Sequence, residues 1–477
     1  MLKTQSHIGS NVGKALCFVA LLSVFCGGAL CAQPNKKHEM KTKPVIYQVF
    51  TRLFGANSSK CEKWGEISVN GCGKLNDFTL RALESIKELG VTHIWYTGVI
   101  EHATQTDYSA YGITPDNAAV VKGKAGSPYA VKDYYDVDPD LAQDVNNRMA
   151  EFEALVARTH DAGMKVIIDF VGNHVSRQYH SDRKPDGVED LGENDNPRWA
   201  FSPLNNFYYL PTERLTRGTY SEYPAKATGN DCFSAYPSDN DWYETVKLNY
   251  GVFYQGGGEK QFDPIPKTWL QMRHILLFWA KKGIDAFRCD MAEMVPVEFW
   301  KWVIDEVKIV FPEIEFLAEV YDPAQYHNYL NAGFDYLYDK VGMYDYLRGV
   351  TSRSYPAEGI SNQWQQVNDI RSHMLYFLEN HDEQRIASGF FCGTGICAEP
   401  AMTVAALMGV NPVMIYAGQE LGEKGMDSEG FSGIDGRTTI FDYWGVKTLQ
   451  AWANNGLFDG GGLDDEQREL REFYCRL

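Results

Sequence analysis

Positive charge is in short supply in this chain. Across 477 residues, 45 Lys+Arg face 63 Asp+Glu, for a formal net charge of −18. That balance argues against a nucleic-acid surface, which needs clustered cations to meet phosphates. It argues equally against an electrostatic hold on anionic lipid. The one N-terminal apolar run is short for a bilayer span, and there is no other transmembrane candidate. No Cys/His spacing resembles a zinc site, no Gly-rich phosphate turn follows the first strand candidate, and there is no internal repeat or low-complexity tract.

At 44% hydrophobic and 23% charged, the chain has the composition of a globular protein. Its 28 Tyr, 25 Phe and 11 Trp are numerous enough to build either a bulky core or stacking surfaces for a flat ligand such as a sugar ring. Residues 1–32 read as a leader: Lys3 and Lys14, then an apolar run over 15–25, then small residues up to a cleavage point after Ala32. An uncleaved anchor is the alternative. The expected mature chain is exported (periplasmic, cell-surface or secreted), with a linker over 33–43 and no membrane span. Export permits disulfides. Three of the ten cysteines fall in the leader, and Cys61/Cys72 and Cys392/Cys397 are local pairs able to staple loops. Cys289, in an apolar strand, reads as a buried thiol.

Along the rest of the chain, short apolar runs alternate with amphipathic stretches. Strands are predicted over 45–50, 93–96, 165–170, 284–289, 315–320, 334–338, 374–378 and 413–416. Helices are predicted over 77–89, 151–162, 269–282, 296–310, 401–408 and 464–477, several of them stopped by glycine. Eight βα units point to an α/β fold, a closed (β/α)8 barrel, with a doubly wound open sheet as the alternative. Residues 174–261 are too long and too rich in Pro, Gly, Asn and Asp for a plain loop. They read as a small inserted domain after strand three, dividing the barrel into 44–173 and 262–477.

Polar residues stand where apolar strands should simply stop. Asp290 and Arg288 end strand four, Glu319 ends strand five, His381 and Asp382 follow strand seven, and Asn173 and His174 follow strand three. In a barrel these strand ends converge on one face. Cleaving a glycosidic bond needs one carboxyl group to protonate the leaving oxygen and a second, ionised, to attack. Arg288 lies two residues before Asp290 and so on the same face of the strand, where it would keep that carboxylate ionised. Glu319 stands among Leu317, Ala318 and Val320, surroundings suited to an acid/base.

Four segments, Asp169-Phe-Val-Gly-Asn173-His174, Gly283-Ile-Asp-Ala-Phe-Arg288-Cys-Asp290, the Glu319 strand and Asn380-His381-Asp382, resemble in order the signature regions of the α-amylase family of glycoside hydrolases. Tyr129-Ala-Val-Lys-Asp133-Tyr134-Tyr135, Lys247-Leu-Asn-Tyr250 and Tyr416-Ala-Gly-Gln-Glu420 add to the resemblance. It implies a TIM barrel and a retaining double displacement on α-glucosidic bonds. Asp290 would be the nucleophile, Glu319 the acid/base and Asp382 the transition-state stabiliser. Arg288, His174 and His381 would bind the sugar, with Tyr129 stacking on it, and Asn173 matches a position that ligates calcium in many members. The implied partner is an α-glucan: starch, maltooligosaccharides, pullulan or cyclodextrin.

Met291-Ala-Glu293-Met294 follows Asp290 in place of the Lys-His pair of endo-acting α-amylases, which resembles the neopullulanase and maltogenic side of the family. The β-sandwich usual after the barrel finds no counterpart before Leu477, so a truncated chain is the expectation. Two other readings stay open: a transglycosylase or isomerase of the same family, and a non-catalytic carbohydrate-binding homologue. Retention of all three carboxylates speaks against the last.

Overall fold

The computed structural model describes residues 43–428 and 433–477; the expected leader and the linker up to residue 42 lie outside the described residues. Eight parallel strands follow one another: β1 (Val45–Phe50), β2 (His93–Thr97), β3 (Lys165–Val171), β4 (Ala286–Asp290), β5 (Glu315–Ala318), β6 (Tyr336–Tyr338), β7 (Met374–Leu375) and β8 (Val413–Tyr416). Each pairs with the next in sequence, and β8 pairs back onto β1. A parallel bridge between Tyr376 and Val413 joins the β7 end to β8, so the sheet closes and the doubly wound alternative falls away.

Helices cover the outside: α1 (Leu80–Lys87), α2 (Arg148–Asp161), α3 (Lys267–Ala280), α4 (Val297–Val310), α5 (Tyr326–Asn331), α6 (Asp345–Thr351), α7 (Ile360–Gln366), α8 (Glu399–Leu407), α9 (Lys447–Ala453) and α10 (Asp465–Arg476). The predicted helix over 77–89 is shorter, because Thr79 caps α1 by accepting from the Ala82 N–H. Leu80 therefore sits in the first turn, 49% exposed, outside the buried stripe of Leu83 and Ile86. The sixth and seventh strands are also shorter than predicted. Past Leu375, β7 keeps only the Tyr376–Val413 bridge.

The core has two layers. Ile46, Trp95, Ile167, Ala286, Leu317, Leu375 and Met414 fill the barrel interior. A larger set, including Tyr47, Ile94, Phe287 and Phe316, packs against the helices. Successive strand residues alternate between these layers. On β4 the inward column runs Ala286, Arg288, Asp290; on β5 it runs from Leu317 to Glu319 just past the strand. The functional residues thus occupy the top levels of columns whose lower levels are plain core.

Between β3 and α3 the chain makes four antiparallel pairs of short strands, beginning with His174–Ser176 against Thr245–Lys247. Arg177 ties this insertion together, donating to Glu222 (2.8 Å), Tyr243 O (2.7 Å) and Thr245 O (2.9 Å). The Cys392–Cys397 disulfide forms, and Cys289 is a buried thiol. The Cys61–Cys72 staple does not: Cys72 keeps a free thiol, and Cys61 Sγ instead accepts from Gly445 N at 3.2 Å. Among the described residues no helix is long and apolar enough to cross a membrane.

Candidate active site

Arg288 is fully buried, and its guanidinium faces acids from three strands. It reaches Asp290 Oδ1 at 2.8 Å, Asp169 Oδ1 at 3.4 Å and Glu319 Oε2 at 2.8 Å. The Glu319 contact is an ion pair off the N–H axis, since Nη2 completes no hydrogen bond. The strand register explains the Asp169 contact, because Arg288 on β4 sits directly beside Asp169 on β3. Trp95, Tyr129 and Tyr338 surround the cation with rings 5.1, 5.5 and 5.5 Å away.

Above the guanidinium lies a cavity of about 230 Å³, lined by Asp290, Glu319, Asp382, Tyr129 and His174 among others. Asp290 Oδ2 is buried with no hydrogen-bond partner. Glu319 is held from two sides: Oε2 accepts from Met291 N at 2.8 Å, and Oε1 from the Tyr321 hydroxyl at 2.7 Å. Met291 adopts a left-handed φ of +42°, an unfavourable backbone for a side chain of its size, and that turn aims its N–H at Glu319. Glu293 secures the facing loop by accepting from Tyr321 N and Asp322 N at 3.0 and 3.1 Å.

Burial, and after it the neighbouring charges, shifts the titration of these groups. Burial pushes the Asp169 carboxyl up to about 6 and the Asp382 carboxyl up to about 7, with Glu319 adding to the rise at both. Asp290 is raised by the same causes, opposed by Arg288. Each ionised neighbour in the cluster makes the next ionisation harder. Both histidines stay neutral. Burial, then Lys247, pulls His174 down to about 3, and burial beside Arg288 holds His381 well below its ordinary range.

Of the seven predicted catalytic and sugar-binding residues, five line the cavity and two do not. Arg288 and His381 lie behind it, buried against residues that do line it, Asp290 and Tyr129. His381 stacks under the Tyr129 ring (centroids 5.2 Å apart), and its Nε2 lies 2.5 Å from the Tyr129 hydroxyl and 3.1 Å from Asp382 Oδ2. Gln48 Nε2, 2.8 Å from His381 Nδ1, fixes the ring from below.

Asn173 is the plainest departure. Its Oδ1 accepts from the Lys247 ammonium at 2.5 Å, and its Nδ2 donates to Gly229 O at 2.8 Å. Lys247 is buried and paired with Asp231 at 2.7 Å. The antiparallel register that opens the insertion places Lys247 against His174, which carries the cation to this spot. A divalent ion on Asn173 would meet a resident ammonium, so the donor set does not fit calcium. Among the described residues no group of three or more His, Cys, Asp or Glu side chains is placed to hold a metal ion.

Other residues at the site carried weaker signals in the sequence. Asp169 is a lone acid in an apolar strand, a visible clue. Tyr321 follows Glu319 by two residues, past the end of β5. Trp242, whose ring lies 5.2 Å from His174, sits in the aperiodic insertion and announced nothing.

Two outcomes follow from these charges. Adding a strong chelator should leave the melting temperature unchanged; a drop of several degrees, restored by calcium, would contradict the ammonium-filled site. Carboxyls raised in the folded state favour folding below their unfolded values, and that contribution is lost as pH climbs through the raised ones. Asp382, 35% exposed, is screened enough that Asp382→Asn should gain only about 1–2 °C of melting temperature over the parent near pH 8. The gain should vanish near about pH 4, and a gain independent of pH would refute this account.

A family model described as the α-amylase catalytic domain matches residues 48–442. Alpha-amylase 3 of Dictyoglomus thermophilum is 24% identical over 458 residues, covering 90% of this chain and 74% of that protein. Alpha-amylase MalA of Haloarcula japonica is 25% identical over 407 residues, covering 83% of this chain but 47% of its own length, so this chain spans about half of that relative. Among solved structures, the cyclic α-maltosyl-(1→6)-maltose hydrolase of Arthrobacter globiformis matches with a TM-score of 0.59 at 18% identity, over 91% of this chain and 82% of that one. That likeness speaks for the fold. With the barrel, the strand-end acids and a family match over most of its length, the chain belongs to the α-amylase family of glycoside hydrolases.

Proposed function

We propose that the protein is a retaining glycosidase that hydrolyses α-1,4-glucosidic bonds in starch-like glucans and maltooligosaccharides. The observation that carries this reading is Asp290 Oδ2, buried and unpartnered above Arg288 while its sister oxygen is bound to that guanidinium. A carboxylate fixed by one oxygen and bare at the other is poised to attack.

In the first step Glu319 gives its proton to the glycosidic oxygen. Asp290 Oδ2 attacks C1, the C1–O bond to the leaving chain breaks, and a β-glucosyl ester forms. In the second step Glu319 takes a proton from water, whose oxygen attacks C1 and releases Asp290. The product is the α-anomer, and Glu319 is protonated again for the next cycle. Asp382 holds ring hydroxyls as positive charge develops at C1. Tyr129 supplies a face for the sugar, and the neutral His174 donates or accepts without adding charge. Arg288 and His381 position these groups from behind.

Met291 and Tyr321 line the cavity beside Glu319 and offer a sugar acceptor an apolar and aromatic surface. That favours transfer to a sugar hydroxyl as a second outcome of the same ester intermediate. Export remains a reading of residues 1–32, supported by the Cys392–Cys397 disulfide, a bond suited to an oxidising compartment. Calcium at Asn173 forms no part of the proposal.

Asp290→Ala and Glu319→Gln should each lower turnover of maltooligosaccharides by about three or more orders of magnitude, while binding of the same sugars persists by calorimetry. Near-parental turnover in either variant would refute the assignment.

A further inference from the structure

A wall of side chains stands at one end of the catalytic cavity. Lys122 and Phe441 each face two spaces: the catalytic cavity, and a neighbouring one of about 610 Å³. The segment Trp242-Tyr243-Glu244 runs between the same two spaces. Trp242 and Glu244 face the catalytic side and Tyr243 the other, the alternation expected of extended chain.

The wall is built to stay shut. Lys122 pairs with Glu244 at 2.9 Å, and that carboxylate's side chain is only 5% exposed. The Lys122 ammonium also sits over the Tyr243 and Phe441 rings at 5.5 and 5.8 Å, and the Arg217 guanidinium packs 3.5 Å from the Tyr243 ring centre. Backbone bonds tie its two sides: Ala125 N and Gly126 N donate to Phe441 O at 3.0 and 3.1 Å, and Lys124 N donates to Asp442 Oδ1 at 2.8 Å. Gly123, at φ +65°, lies where a Cβ would come 2.2 Å from Phe441 O, so this close approach requires glycine. Displacing Lys122 would leave the buried Glu244 carboxylate uncompensated.

The acid marks which end this is. Glu319 must reach the leaving oxygen, so the leaving chain extends past Glu319, Met291 and Tyr321. The wall adjoins Trp242, whose ring lies 5.2 Å from His174, and Met291 and Tyr321, which hold Glu319, take no part in it, so it is assigned to the end where the glycone enters. We propose that the Lys122–Glu244 wall closes the glycone end of the cavity, so that the protein cuts from non-reducing chain ends and spares interior bonds. This rests on the glycosidase reading above. A glucan threaded through the cavity would have to pass through the ion pair, whereas a chain end stops against it.

The test compares maltoheptaose with maltoheptaose carrying an ethylidene acetal on its non-reducing end, products being followed by chromatography. The parent protein should cleave the capped sugar about 100-fold more slowly, and Lys122→Ala should bring the two within about 10-fold. Glu244→Gln, which keeps the shape of the site, should move the ratio the same way and stands in if Lys122→Ala does not fold. Equal rates on both sugars in the parent protein would overturn the proposal. If neither sugar is cut, the glycosidase reading itself has failed, and binding to Glu319→Gln protein decides the wall. Uncapped sugar bound about 10-fold more tightly supports it, and equal affinity overturns it.

Discussion

One buried guanidinium organises this molecule's chemistry. Arg288 gathers Asp169, Asp290 and Glu319 from three neighbouring strands into a space with no solvent to screen them. Without it, those acids would repel one another, and burial would neutralise them by protonation. With it, the cluster tolerates partial ionisation and one oxygen of Asp290 is left bare. The barrel supplies the geometry, since only a closed parallel sheet brings the tops of β3, β4 and β5 together with the β7 loop. The interior apolar layer beneath Arg288 keeps water from reaching it from below.

A second cation does similar work at the edge of the site. The Lys247 ammonium bonds Asn173 and pairs with Asp231, joining the insertion to the end of β3 with an internal charge. This fixes the floor under His174, and the same field helps keep that imidazole neutral. Rigidity here comes from residues of the chain itself. The opposing cost is visible in the raised carboxyls of Asp169 and Asp382, which make the folded state less favourable at the pH where ionised acids are needed.

The barrel was largely legible in the sequence, because its strands are near-continuous apolar runs and its helices show clear stripes. β1 and β8 appear at their predicted bounds. Boundaries slipped where local chemistry overrode the pattern, as when Thr79 capped α1 and left Leu80 exposed. The strand-end acids were legible for a physical reason: a charged residue closing an apolar strand has few other uses. What the sequence did not disclose was depth. Arg288 and His381 read as sugar contacts, yet both lie behind the groups that line the cavity, and only packing determines that. Lys247 standing beside Asn173, and Lys122 meeting Glu244, each join a residue of the aperiodic insertion to a distant one outside it, which no pattern in the sequence places. The same holds for Cys61, whose sulfur turns to Gly445 and away from Cys72.

The central claim is that the bare oxygen of Asp290 forms a bond to the sugar. Reaction with a fluorinated glucosyl fluoride, whose ester intermediate hydrolyses slowly, followed by peptide mass mapping, tests it most directly. The account predicts a single fluoroglucosyl label carried by Asp290 and released with retention of the α-configuration. A label on another residue, or release of the β-anomer with no covalent adduct, would contradict it.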